Sequence, residues 1–221
     1  MTAKEKSSIE VFQELYLRHS KGSAAVRDAV LNHLGHDWAH RPDREEEIRM
    51  SGEGGVIALE RSPTGDNRGV SLWMFEESDG RYKVSNIVPL KHGDLGTKGY
   101  NDALTDFVRA VVRPASDESH LEYDLSSGLE SIDDWADQDT AAALKRFSKL
   151  ANKSTGRCHP MDEERWLAFL LAAHHKNSSL NSEQLARWLV EVEGWPSDTA
   201  NELASEYALS RSLLSKYDET R

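Results

Sequence analysis

One cysteine, Cys158, stands in 221 residues. No intramolecular disulfide can form, so a secreted, disulfide-stapled scaffold is excluded. Basic charge is scarce as well: 27 Lys and Arg face 38 Asp and Glu, and the formal net charge is −11. A molecule that repels phosphate as a whole is no general nucleic-acid binder. Long apolar runs are missing. The longest, near Leu167–Ala173, is far too short for a bilayer, and no membrane association is expected. Met1 to Ile9 is polar and lacks the apolar centre of a signal peptide. Cytoplasmic residence is the expectation that these absences leave. No segment carries a catalytic or cofactor signature, so no cofactor and no catalytic residue are assigned.

What is present argues for a folded chain. Hydrophobic residues make up 38% and there are six tryptophans, enough apolar material for a core. The length allows one large domain or two small ones. Ile9, Phe12, Leu15 and Tyr16 recur at helical spacing, and Ser23 opens a second helical stripe of Val26, Val30, Leu31 and Leu34 that Gly35 stops. After Pro42 the pattern turns to strands at Glu47–Met50, Gly55–Arg61, Val70–Glu77 and Arg81–Val88. The last two are joined by the tight turn Ser78-Asp79-Gly80. A helical stripe from Tyr100 to Val112 follows, closed by Pro114, and His120–Leu125 reads as one more strand.

The remainder reads as helices: Ser131 to Leu150, Asp162 to His175, one opened by the Asn181/Gln184 capping box, and one from Ser197 to about Tyr217. In the last of these Leu203, Tyr207, Leu213 and Leu214 are expected to face inward. The fold class is therefore α+β: an antiparallel sheet with helices in the N-terminal half and a bundle-like helical C-terminal half. Residues 1–125 are expected to form the α+β domain and 126–221 an all-helical domain packed on it.

The stretch from Phe147 to Asp218 contains ANKSTGRCHPMDEERWLAFL, LARWLVEVEGWP and YALSRSLLSKYD. This stretch resembles a group of uncharacterised bacterial proteins. The resemblance implies a bacterial source and assigns no activity and no catalytic residue.

Several constellations bear on function. His33, His36, Asp37 and His40 have the spacing of metal ligands on one helix face. Gly35 interrupts that face, so capping or surface histidines account for them better and no metal site is assigned. Pro42-Asp43 with Glu60 on a later strand is similar to the metal-binding carboxylates of a large nuclease superfamily. Ser62 stands where that pattern wants a lysine. His174-His175 point about 100° apart on a helix and suit an exposed C-terminal turn.

Two segments are the candidate sites. The loop before Pro160 brings together Lys153, Ser154, Thr155, Arg157 and His159, whose cations and nearby helix start suit an anion. Between Asp117 and Asp139 there are nine Asp or Glu and no Lys or Arg. Asp133, Asp134 and Asp137 in that stretch are candidates for docking a basic protein. The function expected is non-enzymatic: a bacterial cytosolic protein-interaction or regulatory protein with an acidic docking surface. The alternative is a metal-dependent hydrolase or nuclease using the His and carboxylate residues of the N-terminal half.

Overall fold

The computed structural model describes residues 7–49, 55–65 and 68–221. The chain divides into two compact units. One is Glu10–Gly128; the other joins the described residues up to Ile9 with Leu129–Arg221. The class is α+β, with antiparallel sheet mostly in the N-terminal half and helices dominating the C-terminal half.

The first unit is built on a six-stranded sheet. Its strands are β2 (Leu15–Arg18), β3 (Trp38–His40), β4 (Val56–Arg61), β5 (Val70–Glu76), β6 (Tyr82–Pro89) and β7 (Glu122–Leu125). They lie in the order β3-β4-β5-β6-β2-β7, every pair antiparallel. The Ser78-Asp79-Gly80 turn joins β5 to β6, with Gly80 at φ 81°, a conformation that costs a glycine little. Alternate strand residues such as Leu15, Leu17, Ile57, Leu59, Leu72 and Met74 are fully buried. They share one core with Val26 and Val30 of α1 (Ser23–Asn32) and with Leu104 and Phe107 of α3 (Gly96–Phe107).

Three expectations fail here for identifiable reasons. Ile9–Tyr16 is no helix. It gives β1 (Ser8–Glu10) and then β2, and its amides find distant partners: Val11 N–H donates to Gly128, Gln13 N–H to Asn101 Oδ1, and Glu14 N–H to Ser126 Oγ. A short apolar run fits both periods, and long-range pairing decides. Glu47–Met50 is no strand, as far as it is described. Pro42–Arg49 forms α2; proline suits a first helical turn, and Asp43 and Glu45 favour its dipole. Met50 lies outside the described residues. Pro114 does not end its helix either. A π-helical turn, Val108–Val112, leads into α4 (Arg113–Ser119), where the proline falls at the helix start and its missing N–H is not needed.

The edge of β4 beyond β3 is closed by side chains. β3 reaches only as far as His40 opposite Leu59. Past that point Arg27 donates to the Val56 carbonyl at 2.9 Å and Glu45 accepts from the Ala58 amide at 3.1 Å. Arg27 and Glu45 meet each other at 2.6 Å, and His40 Nε2 sits 2.7 Å from the same carboxylate. The Glu45 side chain is only 3% exposed, so these partners carry its charge in place of water.

The helical unit contains β8 (Leu129–Ser131), paired with β1 in a two-stranded sheet, and α5 (Ile132–Trp135), α6 (Gln138–Leu150), α7 (Pro160–His175), α8 (Ser182–Arg187) and α9 (Ser197–Glu219). A second π-helical turn, Trp188–Val192, extends α8. Between Asp139 and Tyr217 the described residues form no strand. Ser131–Leu150 is two helices rather than one, because Ala136 is extended (φ −135°, ψ 146°). Phe147, Trp166, Phe169 and Tyr207 form a chain of buried rings with centroids 5.0–5.5 Å apart. Trp195 stacks on Phe147 and donates through Nε1 to the buried Ser148 Oγ at 2.7 Å.

Candidate interaction surface

The three candidate carboxylates of the acidic segment each have a local partner. Asp134 is the far half of a capping box on Ser131, accepting from its N–H and hydroxyl at 2.7 and 2.9 Å. Asp137 caps α6, accepting from the Asp139 and Thr140 amides and from the Thr140 hydroxyl. The Thr140 hydroxyl, with the two amides, holds the Asp137 carboxyl below its usual range. Asp133 pairs with Lys145 at 2.7 Å. Of the three, only Asp133 is without a cap to hold. Replacing Asp134 by alanine is expected to cost about 1 kcal/mol, and Asp137→Ala to lower stability by removing the α6 cap. Asp133→Asn is expected to cost under about 0.5 kcal/mol. Urea midpoints of the three variants measure the order.

The loop before α7 turns its cations inward onto carboxylates. Arg157 donates to Glu206 at 2.5 Å and to Glu163 at 2.8 Å. Lys153 donates to the Glu193 carbonyl and lies 3.9 Å from its carboxylate. Ser154 bonds to Asn152, Thr155 N–H to the Asn152 carbonyl, and His159 caps α7 by accepting from Met161 N–H. An anion arriving here competes with carboxylates already in place.

The N-terminal histidines do not converge. His33 lies against the Ala29 carbonyl and Glu118, His40 against Glu45, while His36 and Asp37 are exposed. Asp43 and Glu60 are bridged by Arg41, whose hydrogen bonds pull the Asp43 carboxyl down to about 2. Among the described residues no three His, Cys, Asp or Glu are placed to hold a metal ion. His174 and His175 form the last turn of α7 with His175 exposed, as expected, but the His174 side chain is 11% exposed and meets Asp218 at 2.8 Å.

A different feature stands out on the helical unit. The N-terminal half of α9 packs inward through Ala200, Leu203, Ala204 and Tyr207. A second face of the same helix carries Leu209, Leu213 and Tyr217 at intervals of four, exposed by 71%, 67% and 54%. Leu213 was expected inside. The face is held in register, since Arg211 donates to the Tyr207 hydroxyl and the Ser178 carbonyl, and Asp218 meets His174. Two helical turns before Leu209, the same side of α9 carries Glu202. Glu202 is exposed and has no cationic partner among the described residues. The signal was in the sequence: α9 carries two apolar stripes where one would bury it.

Residues 136–211, from α6 into α9, match a family described as a domain of unknown function, DUF1889. The C-terminal half thus carries an uncharacterised family domain. Comparison with curated proteins and with solved structures gave no match.

Proposed function

We propose that this is a non-enzymatic protein-interaction protein of the bacterial cytosol, and that its helical unit docks a basic, amphipathic partner segment along the second face of α9. The observation that carries this reading is the stripe Leu209, Leu213 and Tyr217, three large apolar side chains turned to water on an anchored helix. Scattered apolar residues on a surface are ordinary, but a contiguous row is the mark of a contact site. Helical spacing of the row suits a partner helix or strip presenting its own apolar anchors.

Charge supports a basic partner. The helical unit from Leu129 to Arg221 holds sixteen Asp and Glu against eleven Lys and Arg. Glu202, in line with the apolar row, offers a carboxylate to a partner's lysine or arginine. Because Asp134 and Asp137 are occupied as caps, the docking face moves from the acidic segment to α9. No helix of the described residues is long and apolar enough to cross a membrane. The lone Cys158 is exposed as a free thiol, which suits a reducing interior.

Photo-crosslinking tests the reading. A benzoylphenylalanine replacing Leu213 in the native host is expected to trap one protein whose crosslinked peptide is rich in Lys or Arg, with trapping reduced as salt rises. Capture of a second copy of this chain, or of acidic peptides at random, contradicts it.

A further inference from the structure

We infer that the α+β unit holds a binding site for a small organic oxyanion in a groove beside α3. The groove has a volume of about 450 Å³, within the range of small-ligand sites. Arg61, Arg68 and Arg109 reach it, and Val70, Leu95 and Ala103 give it an apolar wall. Such a mixture, an apolar wall with a few convergent charged groups, is what orients a small ligand.

The three arginines are not equivalent. Arg61 is 6% exposed and locked: it donates to Asp106 at 2.8 Å and to the Arg68 carbonyl at 3.1 Å, and its guanidinium stacks 5.7 Å from the Trp38 ring. Arg61 therefore fixes the backbone that presents Arg68. Asp106 is shared, accepting from Arg109 as well. Arg109 comes from the π-helical turn that follows α3; π-turns inside helices frequently mark functional positions. Arg68 donates to the Asp94 carbonyl at 3.1 Å and has no carboxylate partner among the described residues.

The other carboxylates of the wall are engaged. Asp102 pairs with Lys98 at 2.6 Å, and Asp94 accepts from the Gly96 amide at 2.9 Å. One carboxylate, Asp106, thus serves two guanidiniums, while Arg68 and the exposed side of Arg109 keep donors turned to the groove. Two planar forks at one mouth suit a phosphate or carboxylate group, with the ligand's apolar body against Leu95 and Val70. The acidic surface elsewhere makes a local oxyanion site the more specific.

Isothermal titration of the full chain at physiological salt with phenyl phosphate, benzoate and inorganic phosphate tests the site. Saturable binding of phenyl phosphate or of benzoate is expected, and which of them binds more tightly separates a phosphate ester from a carboxylate. Inorganic phosphate, lacking an apolar body, is expected to bind at least about tenfold more weakly than phenyl phosphate. The paired change Arg68→Gln with Arg109→Gln removes exposed side chains only and is expected to lower affinity about tenfold or more, with circular dichroism and melting temperature unchanged. No saturable binding of phenyl phosphate or benzoate up to about 10 mM, ten-thousandfold weaker than a micromolar ligand or about 5.5 kcal/mol, overturns the proposal. Binding that survives the paired change, or inorganic phosphate binding as tightly as phenyl phosphate, overturns it equally.

Discussion

Glu45→Ala is expected to destabilise the α+β unit by about 3–5 kcal/mol, the cost of leaving a buried ionic partner uncompensated. The value should fall toward the lower end, because Arg27 keeps 25% of its side chain in water. The loss has three parts. Arg27 loses its counter-charge, His40 loses its hydrogen-bond partner, and the Ala58 amide loses its acceptor at the strand edge. Urea unfolding, followed by hydrogen exchange at the amides of β4 and β5, reads the change in this unit, with an unchanged urea slope indicating that stability alone has moved.

The same carboxylate gives a pH dependence with a definite sign. Burial pushes the Glu45 pKa up, and the hydrogen bonds from Arg27 and His40, with that from Ala58, outweigh it and set it below the ordinary 4.5. A depressed folded-state pKa means the unfolded chain binds the proton more readily. The contribution is therefore fully present above 4.5 and fades as pH falls through the folded value. Glu45→Ala should accordingly show a shallower loss of stability in acid than the unaltered chain. Parallel acid curves for the two proteins would show that this carboxylate is not held as described.

Phe169→Ala is the second large effect, about 3–5 kcal/mol against the helical unit. Phe169 is fully buried, 5.1 Å from the Trp166 ring and stacked at 5.5 Å on Tyr207. It joins α7 to α9, so its removal opens a cavity between the two helices. Near-ultraviolet circular dichroism, which senses the packed rings, should weaken together with the melting temperature. Retention of both would mean that the ring chain is not the organising core of this unit.

The sequence made some of this legible and hid the rest for physical reasons. β4, β5, β6 and the Asp-Gly turn were readable because alternation and turn chemistry act locally. The Asn181/Gln184 capping box was readable for the same reason, and it is formed as expected. Leu15 and Tyr16 were misassigned to a helix because their strand exists only through β6 and β7, more than sixty and more than a hundred residues away. The candidate site was hidden differently. Asp134 looks like surface charge until it closes the capping box on Ser131, and Asp137 until the chain breaks at Ala136 and makes it the cap of α6. Leu213 looks like core until Leu203, Ala204 and Tyr207 have filled the inner face of α9, leaving Leu209, Leu213 and Tyr217 outside. Arg61, Arg68 and Arg109 come from a strand end, a turn and a π-helical segment, and nothing in linear spacing places them at one groove.

The claim that α9 is the docking face is tested most directly by the paired substitution Leu209→Ser and Leu213→Ser. Both side chains are more than half exposed, so the melting temperature should stay within a degree or two of the unaltered protein, surface changes being worth at most about 0.5 kcal/mol. Burial of each leucine in a complex contributes about 1.5–3 kcal/mol. The affinity for the basic partner trapped at position 213, measured by isothermal titration, should therefore fall by about a hundredfold or more. An unaltered affinity in a variant of unaltered stability would contradict the account.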